Sequence, residues 1–248
     1  IVEVPDGMQL VMSVDTLING VHFPEKTSAA DIAYKALAVN LSDLAAMAAT
    51  PAWFMLSISL PAYDEHWLSL FSSSLRTLAE RYQIELIGGD TCRGPLSITV
   101  QVTGLVRKDA YVTRGGAKPG DLILVSGRLG DAALGLAHLQ QKIQLPESLQ
   151  TACLDALNRP IPRLQLSEFL TDFASSAIDL SDGLVGDLRH ILEASGVGAI
   201  IRQADLPVND WIRRHNAFEY AVTGGDDYEL CLTIPAQHRV QIDRWNRQ

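Results

Sequence analysis

Apolar positions at Ile32, Ala36, Leu37, Leu41, Leu44 and Ala48 recur at the helical period and predict a helix over 31–48. A second stripe, Trp67, Phe71, Leu75, Leu78 and Tyr82, predicts an amphipathic helix over 64–82. The runs around them predict strands: 9–15, which ends in an acid, then 53–60, a short 84–87 broken by Gly88-Gly89, and a long 97–106. The order β-α-β-α-β-β predicts an α+β domain whose helices cover one face of a sheet. The other face is left free to meet a second subunit.

Residues 107–120 carry charges, three glycines and a proline, which suits a connection between domains. The expected division is 1–110 and 111–248. The second part opens with a strand at 121–126, followed by Gly127, Gly130 and a helix from about 131. Helices are expected around 148–157 and 162–173, separated by Pro160 and Pro162. A short strand at 175–179, a helix at 182–195, a strand near 198–202 and a last strand at 227–234 complete the pattern. No clean repeat emerges, although Gly-Gly-Asp occurs at both 88–90 and 224–226.

Composition narrows the function classes. The chain has 248 residues, 47% hydrophobic and 20% charged, which is an ordinary globular balance with room for two cores. Its net charge of −9 argues against a nucleic-acid partner, which favours a basic face. An acidic protein that handles polyphosphates needs cations to offset the repulsion. No apolar run is long enough for a membrane span, and no signal peptide opens the chain. Cys92, Cys153 and Cys231 form no close pair and are expected as buried or free thiols in a reducing compartment, the cytoplasm. The chain opens at Ile1 with strand character and ends at Gln248, so residues are expected beyond one or both ends.

The chemistry is carried by aspartates. Asp15 ends a strand, and Asp90 follows Gly88-Gly89. Asp179 and Asp182 bracket Ser181 at a strand-to-helix turn, and Asp226 and Asp227 follow Gly224-Gly225. Strand ends feed one rim of a sheet, so these acids can converge, and converging carboxylates repel unless protonated or metal-bound. Hard cations such as Mg²⁺ want oxygen ligands and keep substrate phosphates as well. Each aspartate alone also suits a turn or a helix N-cap. Asp43 does not, because it sits in NLSDLAAM beside the apolar stripe, three residues after Asn40.

Other features carry less. The Gly-Gly-Asp turns let the backbone approach a ligand, or are ordinary bulges. Gly127-Arg128-Leu129-Gly130 can place a phosphate at the next helix N-terminus. His22, Arg93 and Arg114 can each bind a phosphate, or be surface residues. Asp31 and Lys35 form an ordinary i,i+4 helix pair. P-loop, dinucleotide-binding, protein-kinase, serine-hydrolase and zinc-protease motifs are absent.

Six ordered segments together resemble the thiamine-monophosphate kinase family: SVDTLINGVHF (13–23), AYKALAVNLSDLAAMAATPAW (33–53), LIGGDTCRGPLSITV (86–100), TRGGAKPGD (113–121), AIDLSDGL (177–184) and TGGDDYEL (223–230). The resemblance runs across nearly the whole chain. It implies the aminoimidazole ribonucleotide synthetase-like (PurM-like) two-domain architecture. In it, the N-terminal sheet pairs with a second subunit, giving a homodimer, and the C-terminal domain is an α/β sandwich that binds ATP. It implies ATP and thiamine phosphate as substrates and several Mg²⁺ ions. By position it implies metal contacts at Ser13, Val14, Asp15, Asp43, Asp90, Asp179 and Asp182. ATP contacts fall at Gly89, Asp90, Arg114 and Ser181, and thiamine phosphate contacts at His22 and Asp226. Val14 departs from the family's usual threonine, so only a backbone carbonyl can serve there. The family's Gly-Asp-Asp motif and its substrate-stacking aromatic are expected outside this range.

The implied reaction moves the γ-phosphoryl group of ATP to a phosphate oxygen that is largely ionised at neutral pH, so no catalytic base is required. Direct in-line transfer is expected. The alternatives are another ATP-dependent synthetase of the same superfamily, a metal-dependent phosphohydrolase, or a non-catalytic nucleotide-binding subunit.

Overall fold

The computed structural model describes the backbone of residues 1–245 and the side chains of residues 1–242. The first half runs β1 (Met8–Ile18), α1 (Ala29–Ala46), β2 (Thr50–Leu60), α2 (Glu65–Arg81), β3 (Glu85–Arg93) and β4 (Ser97–Arg107). These strands form a four-stranded sheet in the order β1-β4-β2-β3. β4 pairs antiparallel with both β1 and β2, while β2 and β3 are parallel. Side chains alternate across each strand, so Leu17, Phe54, Ile58, Ile98, Val100 and Val102 face α1 and α2 and are buried there. On the other face Leu10, Met12, Val14 and Met55 are exposed. That is an apolar sheet face with nothing from its own chain upon it.

The second half runs β5 (Leu122–Val125), α3 (Asp131–Leu139), α4 (Glu147–Asn158), α5 (Ser167–Phe173), β6 (Ser176–Asp179), α6 (Leu184–Ser195), α7 (Asp210–His215), α8 (Glu219–Val222), β7 (Leu230–Ile234) and α9 (Arg239–Trp245). Its antiparallel sheet has the order β5-β7-β6. One face packs α3 and α6 through Leu129, Leu134, Ile178, Leu188 and Cys231.

Helix α1 joins the halves. Ser28 caps its start by accepting the Asp31 N–H at 3.1 Å. Its sequence is rich in alanine and leucine and shows no broad polar face, because nearly every side is covered. The first sheet covers one side. Ala45 and Ala46 at its end, with Ala48 just beyond, pack against Leu170, Ala177, Leu230 and Leu232 of the second half.

Several expectations shift. Gly88-Gly89 does not end its strand, because β3 continues to Arg93. The register with β2 slips there, Phe54 pairing Leu86 and Met55 pairing Gly88, so Ile87 is the extra residue of a bulge. Gly89 lies so close to β2 that an added Cβ would stand 1.9 Å from the Leu56 carbonyl oxygen. The strand expected near 198–202 is irregular backbone, and the short helices α7 and α8 stand where no helix was expected. The helix expected over 162–173 opens as a 3₁₀ turn, Leu164–Leu166, because Pro160 and Pro162 delay its start.

Candidate active site

Inward-facing positions of β1 meet the middle of α1, and this sets the first two acids. Asp15 pairs in register with the fully buried Val100 and so shares the α1 side of the sheet. Ser13, two residues earlier on that side, donates its Oγ–H to Asp43 Oδ2 at 2.6 Å. Burial pushes the Asp43 carboxyl up to about 6, the Asp15 charge adds to it, and Ser13 and Arg114 oppose it. Asp15 is itself raised by burial, with His22 opposing.

The third acid comes from the second half. β6 ends in Asp179, only 7% exposed, and burial followed by the charge of Asp43 pushes its carboxyl up to about 7. The Ser42 hydroxyl opposes that shift. Asp43 therefore feels Asp15, and Asp179 feels Asp43, although the three come from β1, α1 and β6. Tyr228 stands among them: its phenol is driven upward by burial and by Asp226, Asp15, Asp179 and Asp43.

The 223–228 loop is laid on the strand-to-helix turn after β6. The Asp226 N–H donates to the Ser181 carbonyl at 2.9 Å and the Tyr228 N–H to the Leu180 carbonyl at 2.8 Å. Glycine permits this approach, since a Cβ at Gly225 would stand 2.4 Å from the Ser181 carbonyl oxygen. Asp226 and Tyr228 are both left-handed, at φ 70° and 48°. Non-glycine residues hold such a conformation only where their surroundings enforce it. The enforcement includes Glu229, which Arg163 grips through two nitrogens and Ser126 contacts as well.

Asp226 then reaches across to the first half. Its carboxylate pairs with Lys35 Nζ at 2.8 Å, and the same ammonium donates to the His22 carbonyl at 3.3 Å. His22 Nδ1 accepts the Ile18 N–H at 3.1 Å, which places the ring proton on Nε2. The ordinary i,i+4 pair expected between Asp31 and Lys35 is absent. Asp31 pairs instead with Arg159 at 2.6 Å, and Lys35 with Asp226, so both charges look outward from α1 to the second half.

The remaining candidates lie further out. Asp90 pairs with Ser57, on the sheet face away from α1, and is exposed, whereas Gly89 pairs with Leu56 on the α1 side. Within one chain Asp90 thus stands on the opposite face of the sheet from Asp15. Asp182 and Arg114 are exposed at the rim, and Arg114 is near enough to Asp43 to lower its pKa. The Asp182 N–H donates to Asp187 at 2.9 Å, which secures the start of α6. Val14 turns its side chain to the outer face. The phosphate site imagined at the start of α3 is filled by the chain itself: the Gly130 N–H meets both oxygens of Asp227, at 3.1 and 2.9 Å. Arg93 spends its Nε–H on the Pro61 carbonyl at 3.3 Å. Cys92, Cys153 and Cys231 are free thiols, as expected.

Buried carboxyls that hold their protons to about 6 and 7 form a donor set that a hard divalent cation would ionise. Among the described residues no group of three His, Cys, Asp or Glu is arranged to hold an ion by itself. Sequence reasoning gave Lys35 only a helix-surface pairing and gave Ser42 and Tyr228 no role; the one signal was that all three fall in the family-like segments 33–53 and 223–230.

Residues 1–106 match the family model of the AIR synthase related protein N-terminal domain, and residues 118–241 match that of its C-terminal domain. The chain is 49% identical to the thiamine-monophosphate kinase of Escherichia coli (strain K12), over 98% of this chain and 76% of that one. Among solved structures, the thiamine-monophosphate kinase from Stenotrophomonas maltophilia K279a superposes with a TM-score of 0.95 at 43% identity, over 100% of this chain and 81% of that one. A structure of AaThiL complexed with AMPPCP and TMP superposes with a TM-score of 0.87 at 30% identity, over 95% and 78% of the two chains.

Proposed function

The chain belongs to the thiamine-monophosphate kinase family of AIR synthase related proteins, and from that premise we propose that it transfers the γ-phosphoryl group of ATP to thiamine phosphate, giving thiamine diphosphate and ADP. The observation that carries the reading is the meeting of Asp15, Asp43 and Asp179 at the seam of the two halves, with His22 and Asp226 drawn together by one ammonium.

In this reading Asp15, Asp43 and Asp179 hold Mg²⁺, with Asp182, Ser13 and the Val14 carbonyl completing the metal set on this chain, while Asp90, on the far face of the sheet, reaches a metal set only across the subunit contact. The ions, when bound, offset the repulsion between two phosphates brought together for transfer. Ser181, Arg114, Gly89 and Asp90 serve ATP. His22 offers its Nε2–H toward the acceptor phosphate, and Asp226 lies against the acceptor from the other half. The acceptor phosphate oxygen is largely ionised at neutral pH and attacks without a base, so the protein's task is to align two anions. The transfer is direct, with no phosphorylated protein intermediate.

We also propose that residues 1–110 carry the metal, the acceptor and the subunit contact, and residues 111–248 the ATP. The exposed apolar face of the first sheet supports a homodimer closed through that face. Asp90 lies on the same face, so the reading places it next to the partner. Among the described residues no helix is long and apolar enough to cross a membrane, and the free thiols agree with a cytoplasmic enzyme.

The test is an acceptor screen: ATP, Mg²⁺ and a panel of phosphomonoesters, with ADP and phosphorylated product both measured. ADP matched by thiamine diphosphate, and only with thiamine phosphate present, is the expected result. ADP and free phosphate without any acceptor would make the protein a phosphohydrolase. ADP with a different acceptor would make it another synthetase of the superfamily. Label trapped on the protein during turnover would overturn direct transfer.

A further inference from the structure

α1 carries one lysine among its buried positions, and that lysine does not behave as a surface residue. Lys35 is 2% exposed, with Ala33, Ala36 and Leu37 buried around it. A buried ammonium is costly unless its protons are taken by acceptors. Here it is paired with Asp226 Oδ1 at 2.8 Å and donates to the His22 carbonyl at 3.3 Å. Those two groups come from different halves of the molecule and are the two residues assigned to the phosphate acceptor.

We propose that Lys35 is a positioning residue of the acceptor site: its ammonium fixes the Asp226 carboxylate and the 18–23 turn relative to each other, and so determines how tightly thiamine phosphate is held. The inference rests on the kinase reading given above. Asp226 is left-handed and partly exposed, so its carboxylate direction depends on what grips it. Pairing also cancels its charge, and the acceptor's phosphate therefore meets a neutral pair instead of a lone carboxylate. A second ion pair supplies the internal comparison. Asp31 and Arg159 join the same helix to the same half one turn earlier, at 2.6 Å, and touch neither His22 nor Asp226.

The experiment compares Lys35→Met with Arg159→Met in the full chain. Methionine keeps the unbranched shape and removes the charge and donors. Steady-state kinetics are measured separately against thiamine phosphate and against ATP with Mg²⁺, alongside melting temperature. Lys35→Met is expected to raise the KM for thiamine phosphate about tenfold or more while leaving the KM for ATP within about twofold. Arg159→Met is expected to leave both KM values unchanged, whatever it does to melting. Lys35→Arg, which keeps a charged donor, is expected to recover most of the acceptor KM. Adding Asp226→Asn to Lys35→Met is expected to cost less than the sum of the two single changes, since they share the Lys35–Asp226 contact. For a Lys35→Met protein that does not fold, Lys35→Gln carries the same expectations. An unchanged acceptor KM, or equal shifts in both KM values and kcat that Arg159→Met reproduces, overturns the proposal. A wild-type protein that makes no ADP with thiamine phosphate overturns the kinase reading itself, and the proposal with it.

Discussion

Asp43→Asn separates what the acid does for function from what it does to stability. The folded carboxyl is raised from 3.8 to about 6, mainly by burial. At about 1.4 kcal/mol per unit, an ionised Asp43 costs the metal-free fold about 3 kcal/mol at pH 7.5. The sign follows from the direction: the folded value lies above the unfolded one, so stability is full below pH 3.8 and is lost as pH rises toward 6. Asparagine removes that cost and still offers Ser13 an acceptor; the Ser13 bond's preference for the charged carboxylate is already contained in the net shift. The net expectation is a gain of about 3 kcal/mol at pH 7.5, or about 8 °C in melting temperature. At pH 4 the wild-type carboxyl is protonated in the fold, and the gain vanishes. Urea melts in EDTA at pH 7.5 and pH 4, either side of the isoelectric point near 5.1, measure both values. The same substitution is expected to lower kcat with ATP and Mg²⁺ by about a hundredfold or more. A lower urea midpoint for Asp43→Asn at pH 7.5, or an equal gain at both pH values, refutes the reasoning.

Other outcomes follow from the same geometry. Mg²⁺ is expected to raise the melting temperature of the wild type at pH 7.5 but not at pH 4, where protons hold the carboxyls, and to do little for Asp43→Asn; calorimetric scans with and without EDTA decide this. Gly89→Ala drives a Cβ into the Leu56 carbonyl and is expected to cost about 3 kcal/mol or more in urea, whereas Gly196→Ala, at φ 65° with open space around it, costs about 1 kcal/mol. Glu229→Gln weakens the buried grip on Arg163 and is expected to cost about 3 kcal/mol, while Arg189→Met, in an exposed pair, leaves the urea midpoint unchanged.

The sequence announced Asp43 because an acid among apolar helix residues needs a partner, and Asp179 because it ends a strand; Asp15 does not end its strand as expected, since β1 runs on to Ile18, and it reaches the seam by facing α1 from within the sheet. Periodicity found both long helices of the first half and the strands they cover. It misread Lys35, because the i,i+4 rule considers only a helix's own neighbours, while α1 is covered on several sides by other elements. The Gly88-Gly89 pair looked like a strand end because a bulge and a turn use the same residue. Gly127–Gly130 looked open to phosphate because its occupant, Asp227, lies far along the chain. Helices α7 and α8 span six and four residues, too few for a period to register.

The burial of α1 between two sheets also limits how the molecule can move. Swinging the halves apart about the 108–121 connection would expose Ala45, Ala46, Leu170, Ala177, Leu230 and Leu232, which share one apolar cluster. A hinge that breaks a core is slow and costly, so the shared cluster opposes any swing of the halves apart. On the kinase reading, entry of the acceptor and escape of the product are expected at the loops 19–23 and 223–228. On the kinase reading, local loop excursions at the seam, and not the closing of lobes, are the motion expected to gate turnover.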